Sequence, residues 1–297
     1  WCSMPRTSSL LVASALLQRS PVLLAACGRA LGNPFAPPPE ASRRGPETSV
    51  APEPPARRGP AALLARVAAI GASASDGFGT RAGLAEALAV LFGTAHPEPA
   101  DCASASLFAG PEALGRRQVE CALAADPTLV VAIDFLFWFG YGLIEEEAGR
   151  LALLERGLAL LERFDCPVVV ARFPDMSDAV GRMLMPGQMP DDETLRGLNE
   201  RLEAWAAARA VPAYVLPLDR LLADMQAGRE LSFGDATIAS GATGPLIQRD
   251  RLHPTLEGEL VMARFVLATV AQGGYAFDLP SHAEALGELE ALAGAAR

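Results

Sequence analysis

From residue 67 onward, short apolar runs alternate with longer stretches in which apolar positions recur every three or four residues. The first run opens at Val67, and others follow at Pro127–Asp134, Pro167–Phe173 and Ala213–Leu216, each long enough for one strand. The longer stretches predict helices over Arg81–Phe92, Glu112–Ala125, Ile144–Phe164, Leu218–Ala227 and Pro254–Ala271. Another runs from a capping Asp191 to Arg209, and a terminal surface helix is expected at Ser281–Arg297. Within Ile144–Phe164, Leu151, Leu154, Leu158 and Leu161 share one face. Gly93–Ser106 and the polar, Gly-containing Ser232–Arg249 show neither period and read as loops. Strands alternating with helices of this length predict a parallel sheet covered on both faces. Ligands gather beyond the carboxyl ends of such strands. Ser73, Asp134 and Asp175 all fall there.

The first strand enters a dense cluster of small residues, Gly71-Ala-Ser73-Ala-Ser75-Asp-Gly-Phe-Gly79, before its helix begins. Small residues allow a sharp bend and close approach of backbone N–H groups to a ligand. A serine oxygen here would stand on the dipole-positive end of a helix. Turns of this kind also bind nucleotides, and many only pack. A nucleotide fits poorly, because the turn lacks a Walker lysine. Asp134 also lies much farther along than the roughly 20 residues expected of a ribose-binding acid.

Composition narrows the choice. The 297-residue chain is 51% hydrophobic and 20% charged, enough to bury a sizeable core. Its net charge of -10 and the absence of a basic stripe speak against nucleic acid as a partner. Residues 1–27 have the arrangement of an export signal: Arg6 precedes apolar Leu10–Leu17 and Pro21–Ala26, with Gln18-Arg19-Ser20 interrupting. The segment ends Leu24-Ala25-Ala26-Cys27, which resembles the lipobox of bacterial lipoproteins, although an Ala/Leu-rich terminus also yields this string by chance. A lipidated Cys27 would attach an exported protein to the periplasmic side or cell envelope. Residues 28–60, rich in Pro, Ala, Arg and Glu, predict an extended linker ahead of a domain over 61–297. Of five cysteines, Cys102 and Cys121 could form a bridge, and Cys166 reads as a small hydrophobe opening a strand. No His or Cys spacing suggests a metal site.

A second polar motif, Asp250-Arg-Leu-His253-Pro, stands where a late loop meets the last core helix. An acid three residues before a histidine can bond one imidazole nitrogen and leave the other to face a nucleophile. A helix cap beside a surface imidazole is the plainer alternative. The other two histidines, His96 and His282, read as surface residues.

Gly71-Ala-Ser73 early in the domain, with Asp250-x-x-His253-Pro late in it, resembles the SGNH/GDSL serine hydrolases. The resemblance spans about residues 64–272. It implies a three-layer α/β/α sandwich with a central, mostly parallel sheet, SGNH hydrolase-like and flavodoxin-like in arrangement. It further implies Ser73 as nucleophile, His253 as general base and acid, and Asp250 as the orienting acid. The Ser73 N–H would be one oxyanion donor, and Gly110 of Phe108-Ala-Gly-Pro is the nearest match to the glycine that supplies another. Two positions depart from the family pattern: Ala72 replaces its Asp, and the Gly-x-Asn-Asp block is replaced by Ile133-Asp134-Phe. The oxyanion asparagine is thereby missing, and Asp134 is either a group at the oxyanion and substrate site or a structural group bonding the turn around Ser73. Ser75 competes as nucleophile or caps the next helix. The aromatic run Phe135–Tyr141 lines an acyl pocket or packs beneath a loop, and Asn199 reads as exposed.

These features give a first reading of an exported serine esterase with a Ser-His-Asp acyl-enzyme mechanism and no cofactor. Its substrate would be a small-molecule, glycan or lipid ester, with the oligomeric state open. A catalytically degenerate binding protein on the same fold, and an O-acyltransferase acting on a glycan, are the alternatives.

Overall fold

The computed structural model describes residues 59–295 apart from 145, 234 and 235. The expected export segment with Cys27, and nearly all of the Pro-rich 28–60 stretch, lie outside the described residues. Five strands form one parallel sheet: β1 Val67–Ala69, β2 Ala100–Asp101, β3 Leu129–Ala132, β4 Val168–Ala171 and β5 Ala213–Leu216. Their spatial order is β2-β1-β3-β4-β5, with Ala68 opposite Val130, Val131 opposite Val169 and Val169 opposite Tyr214. In this doubly wound order the chain reverses direction of travel between β1 and β3, and the crevice beyond their carboxyl ends is the preferred ligand position. Ser73 follows β1 and Asp134 follows β3.

The helices are α1 Leu84–Phe92, α2 Pro111–Ala124, the single-turn α3 Phe137–Gly140, α4 Glu147–Leu161, α5 Asp192–Ala208, α6 Leu218–Gln226, α7 Leu256–Ala271 and α8 His282–Ala295. The pleat sends alternate side chains of the sheet to opposite faces. Val67, Leu129, Val131 and Val169 pack with α1, α7 and α8, whereas Ala68, Ile70, Val130, Val168 and Val170 pack with α2, α4 and α5. Both faces are therefore dry, and the strands can be nearly continuous in apolar character. Each fully buried Val or Leu contributes about 1.5–3 kcal/mol to the driving force.

Several expectations need revision. The Gly93–Ser106 stretch contains β2, a two-residue strand too short to show a period. Ser232–Arg249 is not all loop. Leu231–Phe233 (β6) and Ala236–Ile238 (β7) pair antiparallel, with Leu231 and Phe233 buried and Ser232 exposed between them. The terminal helix α8 is not merely superficial, since Ala285, Leu289 and Ala293 are buried against the α1/α7 layer. Asn199 is buried on α5, where its Oδ1 accepts the Phe173 N–H at 2.7 Å and its Nδ2 donates to the Phe173 carbonyl at 3.0 Å. It satisfies the chain where β4 ends, a task a polar side chain can perform only from inside.

Cys102 and Cys121 form a disulfide that ties the end of β2 to α2. Closing a loop of this size restricts the unfolded chain by about 3 kcal/mol. Cys166 is free and half-buried just before β4, and burial pushes its thiol pKa up to about 11. Among the described residues, no helix is long and apolar enough to cross a membrane.

Candidate active site

The turn after β1 is held from both sides. Gln118 of α2 accepts the Gly71 N–H at 3.0 Å and donates to the Gly71 carbonyl at 2.8 Å. From the end of β3, Asp134 reaches beneath the turn. Its Oδ1 accepts the Ala72 N–H at 3.0 Å and the Ser75 hydroxyl at 2.5 Å. Its Oδ2 accepts the N–H groups of Ala74 at 3.0 Å and Ser75 at 3.1 Å. A Cβ at residue 71 would lie 2.0 Å from Asp134 Oδ1, so only glycine permits this approach. Burial pushes the Asp134 pKa up, and the four donors pull against it. Every bond it makes runs toward its oxygens, which suits the carboxylate form.

This arrangement separates the two serines. Ser75 is buried with its hydroxyl spent on Asp134, while its backbone carbonyl takes the Leu84 N–H. It does not cap α1 with its side chain. That end is closed by Gly83, whose N–H donates to Glu86 at 2.8 Å. Ser73 lies between residues whose N–H groups all go to Asp134, yet its own N–H has no hydrogen-bond partner among the described residues.

The Ser73 hydroxyl meets His253 Nε2 at 2.8 Å, and His253 Nδ1 meets Asp250 Oδ2 at 2.7 Å. Local geometry explains why an acid three residues earlier can reach the ring. Arg251 adopts a left-handed φ of 64°, which curls the chain so that Asp250 Oδ1 accepts the Leu252 N–H at 3.0 Å and the His253 N–H at 3.1 Å. Its guanidinium is anchored on Asp178 at 3.0 Å. The His253 carbonyl accepts from the Gln248 N–H, and Phe78 covers the ring with centroids 4.4 Å apart. Burial alone would raise the Asp250 pKa, but the bonds to the His253 ring and the two N–H groups outweigh it and hold it below the usual carboxylate range.

A cavity of about 80 Å³ opens beside Ser73, Asp134 and His253. One face of α6 lines it through Leu218, Leu222 and Met225, and α7 contributes Met262. Of the aromatic run, Phe137 lines the cavity, while Phe135 and Phe139 pack in the core against Gly115 and Gly157. The run is thus divided between the cavity wall and the core beside α2 and α4.

Gly110 does not join this constellation. It precedes α2, its N–H donates to the Leu107 carbonyl at 3.3 Å, and it is not part of the cavity wall. Asp175 accepts the Ser177 N–H within its own loop. His96 packs edge-on against Phe92, and His282 meets Glu257 at 3.2 Å, both away from Ser73. Among the described residues, no group of three or more His, Cys, Asp or Glu side chains could hold a metal ion.

Two groups near the site are not evident from its motifs. Gln118 clamps Gly71, and a glutamine inside an amphipathic helix carries no distinguishing signal. Glu259 of α7 is buried, and its Oε1 has no partner. Burial first, then the nearby Asp134 and Glu86 charges, raise its pKa well above the ordinary value. Its position in α7, among apolar neighbours at helical spacing, was readable as inward-facing.

No family model and no curated protein matches the chain. Among solved structures, a gut microbial diltiazem-metabolizing enzyme aligns with a TM-score of 0.48 and 15% identity, over 74% of this chain and 48% of that one. The chain thus spans about half the length of that protein. The lipase/acylhydrolase from Enterococcus faecalis aligns with a TM-score of 0.47 and 16% identity, over 72% of this chain and 98% of that one. At these values the chemistry rests on the site geometry alone.

Proposed function

We propose that the protein hydrolyses carboxylic esters through an acyl-enzyme on Ser73. The observation that carries this reading is the continuous hydrogen-bonded line from the Ser73 hydroxyl through His253 to Asp250. Ser73 Oγ attacks the ester carbonyl carbon while His253 Nε2 takes its proton. The resulting imidazolium is stabilised by Asp250, which also holds the tautomer with Nδ1 protonated. The carbonyl π pair moves onto oxygen, where the unspent Ser73 N–H can donate. As the tetrahedral centre collapses, the C–O bond to the alcohol breaks and His253 returns its proton to the leaving alkoxide. Water then repeats the sequence, with His253 as base, and releases the carboxylic acid and the free serine.

By the resemblance, Asp134 stands in the chain where the family carries its oxyanion asparagine, and its two oxygens accept from the turn around Ser73 instead. Loss of one such donor costs roughly 10²–10³ in rate. The expected enzyme is therefore competent but slow. In exchange, Asp134 fixes the backbone on both sides of the nucleophile.

The test is hydrolysis of p-nitrophenyl butyrate by the full chain and by Ser73→Ala. The wild type should release p-nitrophenol in a saturable reaction, and Ser73→Ala should lose about 10⁴-fold or more in kcat. Turnover that survives Ser73→Ala would refute the assignment. No turnover in a folded wild type would favour a binding protein that retains the fold without catalysis.

A further inference from the structure

The cavity beside Ser73 has a graded wall. Phe137, Leu218, Ile247 and Leu252 are partly exposed, whereas Leu222, Met225, Leu246 and Met262 are buried. The polar side chains on that wall are Ser73, Asp134 and His253, and each is already hydrogen-bonded. A polar group entering beyond Ser73 would be desolvated without a partner, whereas a hydrocarbon would lose nothing. The volume of about 80 Å³ sets the length. One water needs only about 10–15 Å³ of cavity space, so a cavity of this size accepts several non-hydrogen atoms, on the order of six.

We propose that the acyl half of the ester is an unbranched aliphatic chain of about four to eight carbons, seated in this cavity with Met225 and Met262 at its closed end. This rests on the esterase reading. An acetyl group would leave most of the cavity unfilled and forgo about a fourfold gain for each methylene buried. A palmitoyl chain would have to displace the buried floor. The two methionines are unbranched and polarizable, so the floor adapts to the chain terminus rather than to one fixed shape. Met225 belongs to the same face of α6 as Leu218 and Leu222, so this short helix sets the depth of the site.

The test uses the full chain and a series of p-nitrophenyl esters from acetate to palmitate. The value of kcat/KM should rise about fourfold per methylene from acetate, peak between butyrate and octanoate, and fall beyond. Met225→Ala should move the optimum to longer chains by about two carbons, and Met225→Phe should move it to shorter ones. If Met225→Ala fails to fold, the wild-type profile and Met225→Phe still decide the matter. An optimum at acetate, a rate that climbs steadily to palmitate, or an optimum unmoved by both variants overturns the proposal. Calorimetric binding of the straight-chain carboxylates to Ser73→Ala reads the cavity without catalysis. Tightest binding between four and eight carbons, with no turnover of any ester by the wild type, would retire the esterase reading and support the cavity assignment. Binding independent of chain length would overturn the cavity assignment itself.

Discussion

Two aspartates serve the site in opposite ways. Asp134 collects three N–H groups and the Ser75 hydroxyl, so it acts on the backbone that presents Ser73. Asp250 collects the two N–H groups of its own turn and gives its other oxygen to the His253 ring. The first carboxylate fixes the backbone around Ser73. The second fixes the His253 ring through its side chain. Asp134 joins segments about 60 residues apart and is therefore part of the fold, whereas Asp250 closes a loop of four residues. Removing either should impair turnover, but only Asp134 should also cost substantial stability.

Asp250→Asn should give the largest separation of activity from stability. The amide can present its NH₂ to His253 Nδ1 and favour the wrong tautomer, lowering kcat by about 10³–10⁴ while Tm stays within about 3 °C. Steady-state kinetics with thermal unfolding checks both. A comparable fall in Tm would erase the contrast. The depressed Asp250 pKa has a sign of its own. Because the folded value lies below the unfolded one, its stabilising contribution is complete above the unfolded pKa and is lost as pH falls through the folded value. The wild type should therefore lose stability relative to Asp250→Asn only in strongly acidic buffer.

Asp134→Asn replaces an acceptor of four bonds by a group that must turn two hydrogens toward donors. It should lower stability by about 2–4 kcal/mol, read as a Tm decrease of about 10 °C, with about a 10²-fold loss of kcat. An increase in kcat would instead show that the new amide acts as an oxyanion donor and that turn geometry is not limiting. Ser75→Ala deletes one charge-assisted hydrogen bond and should cost about 1.5–3 kcal/mol in urea unfolding, with kcat/KM kept within about tenfold. Much greater loss of activity would move the nucleophile assignment toward Ser75.

The smallest effect concerns Glu259, buried on α7 without a partner for Oε1 and raised in pKa by burial and by the Asp134 and Glu86 charges. Its folded pKa is raised above the unfolded value. Folding is therefore most favoured where the group is neutral in both states, and that advantage is lost as pH rises through the folded pKa. Glu259→Gln should unfold at the same temperature as wild type near pH 4 and at a higher one near pH 8. The excess should be on the order of 3 °C, the effect of about 1 kcal/mol in a domain of this size. A difference independent of pH would show that packing rather than ionisation separates the two proteins.

Much of this architecture can be read from the chain because β1, β3, β4 and β5 are apolar runs bounded by turn residues, with strong helical periods between them. Ser73, Asp250 and His253 are legible for a related reason, since each sits where a strand or loop reaches the carboxyl edge of the sheet. What escapes is set by contacts distant in sequence. β2 is two residues long and exists only because Ala68 and Ala69 offer it an edge. Asn199 is inward because the chain after β4 needs a donor and an acceptor. Gly110 matches a pattern, but its N–H is turned back onto the Leu107 carbonyl and its own carbonyl receives the Leu114 N–H of α2. The cavity wall along α6 has the same spacing as ordinary core, so periodicity alone does not distinguish a filled face from an empty one.

Labelling of the full chain with a fluorophosphonate, followed by mass-spectrometric mapping of the modified residue, reads the activation of Ser73 itself. An adduct on Ser73, retained in Ser75→Ala and lost in His253→Ala, is the predicted result. An adduct on Ser75, or none in a folded protein, would contradict the assignment of Ser73 as an activated nucleophile.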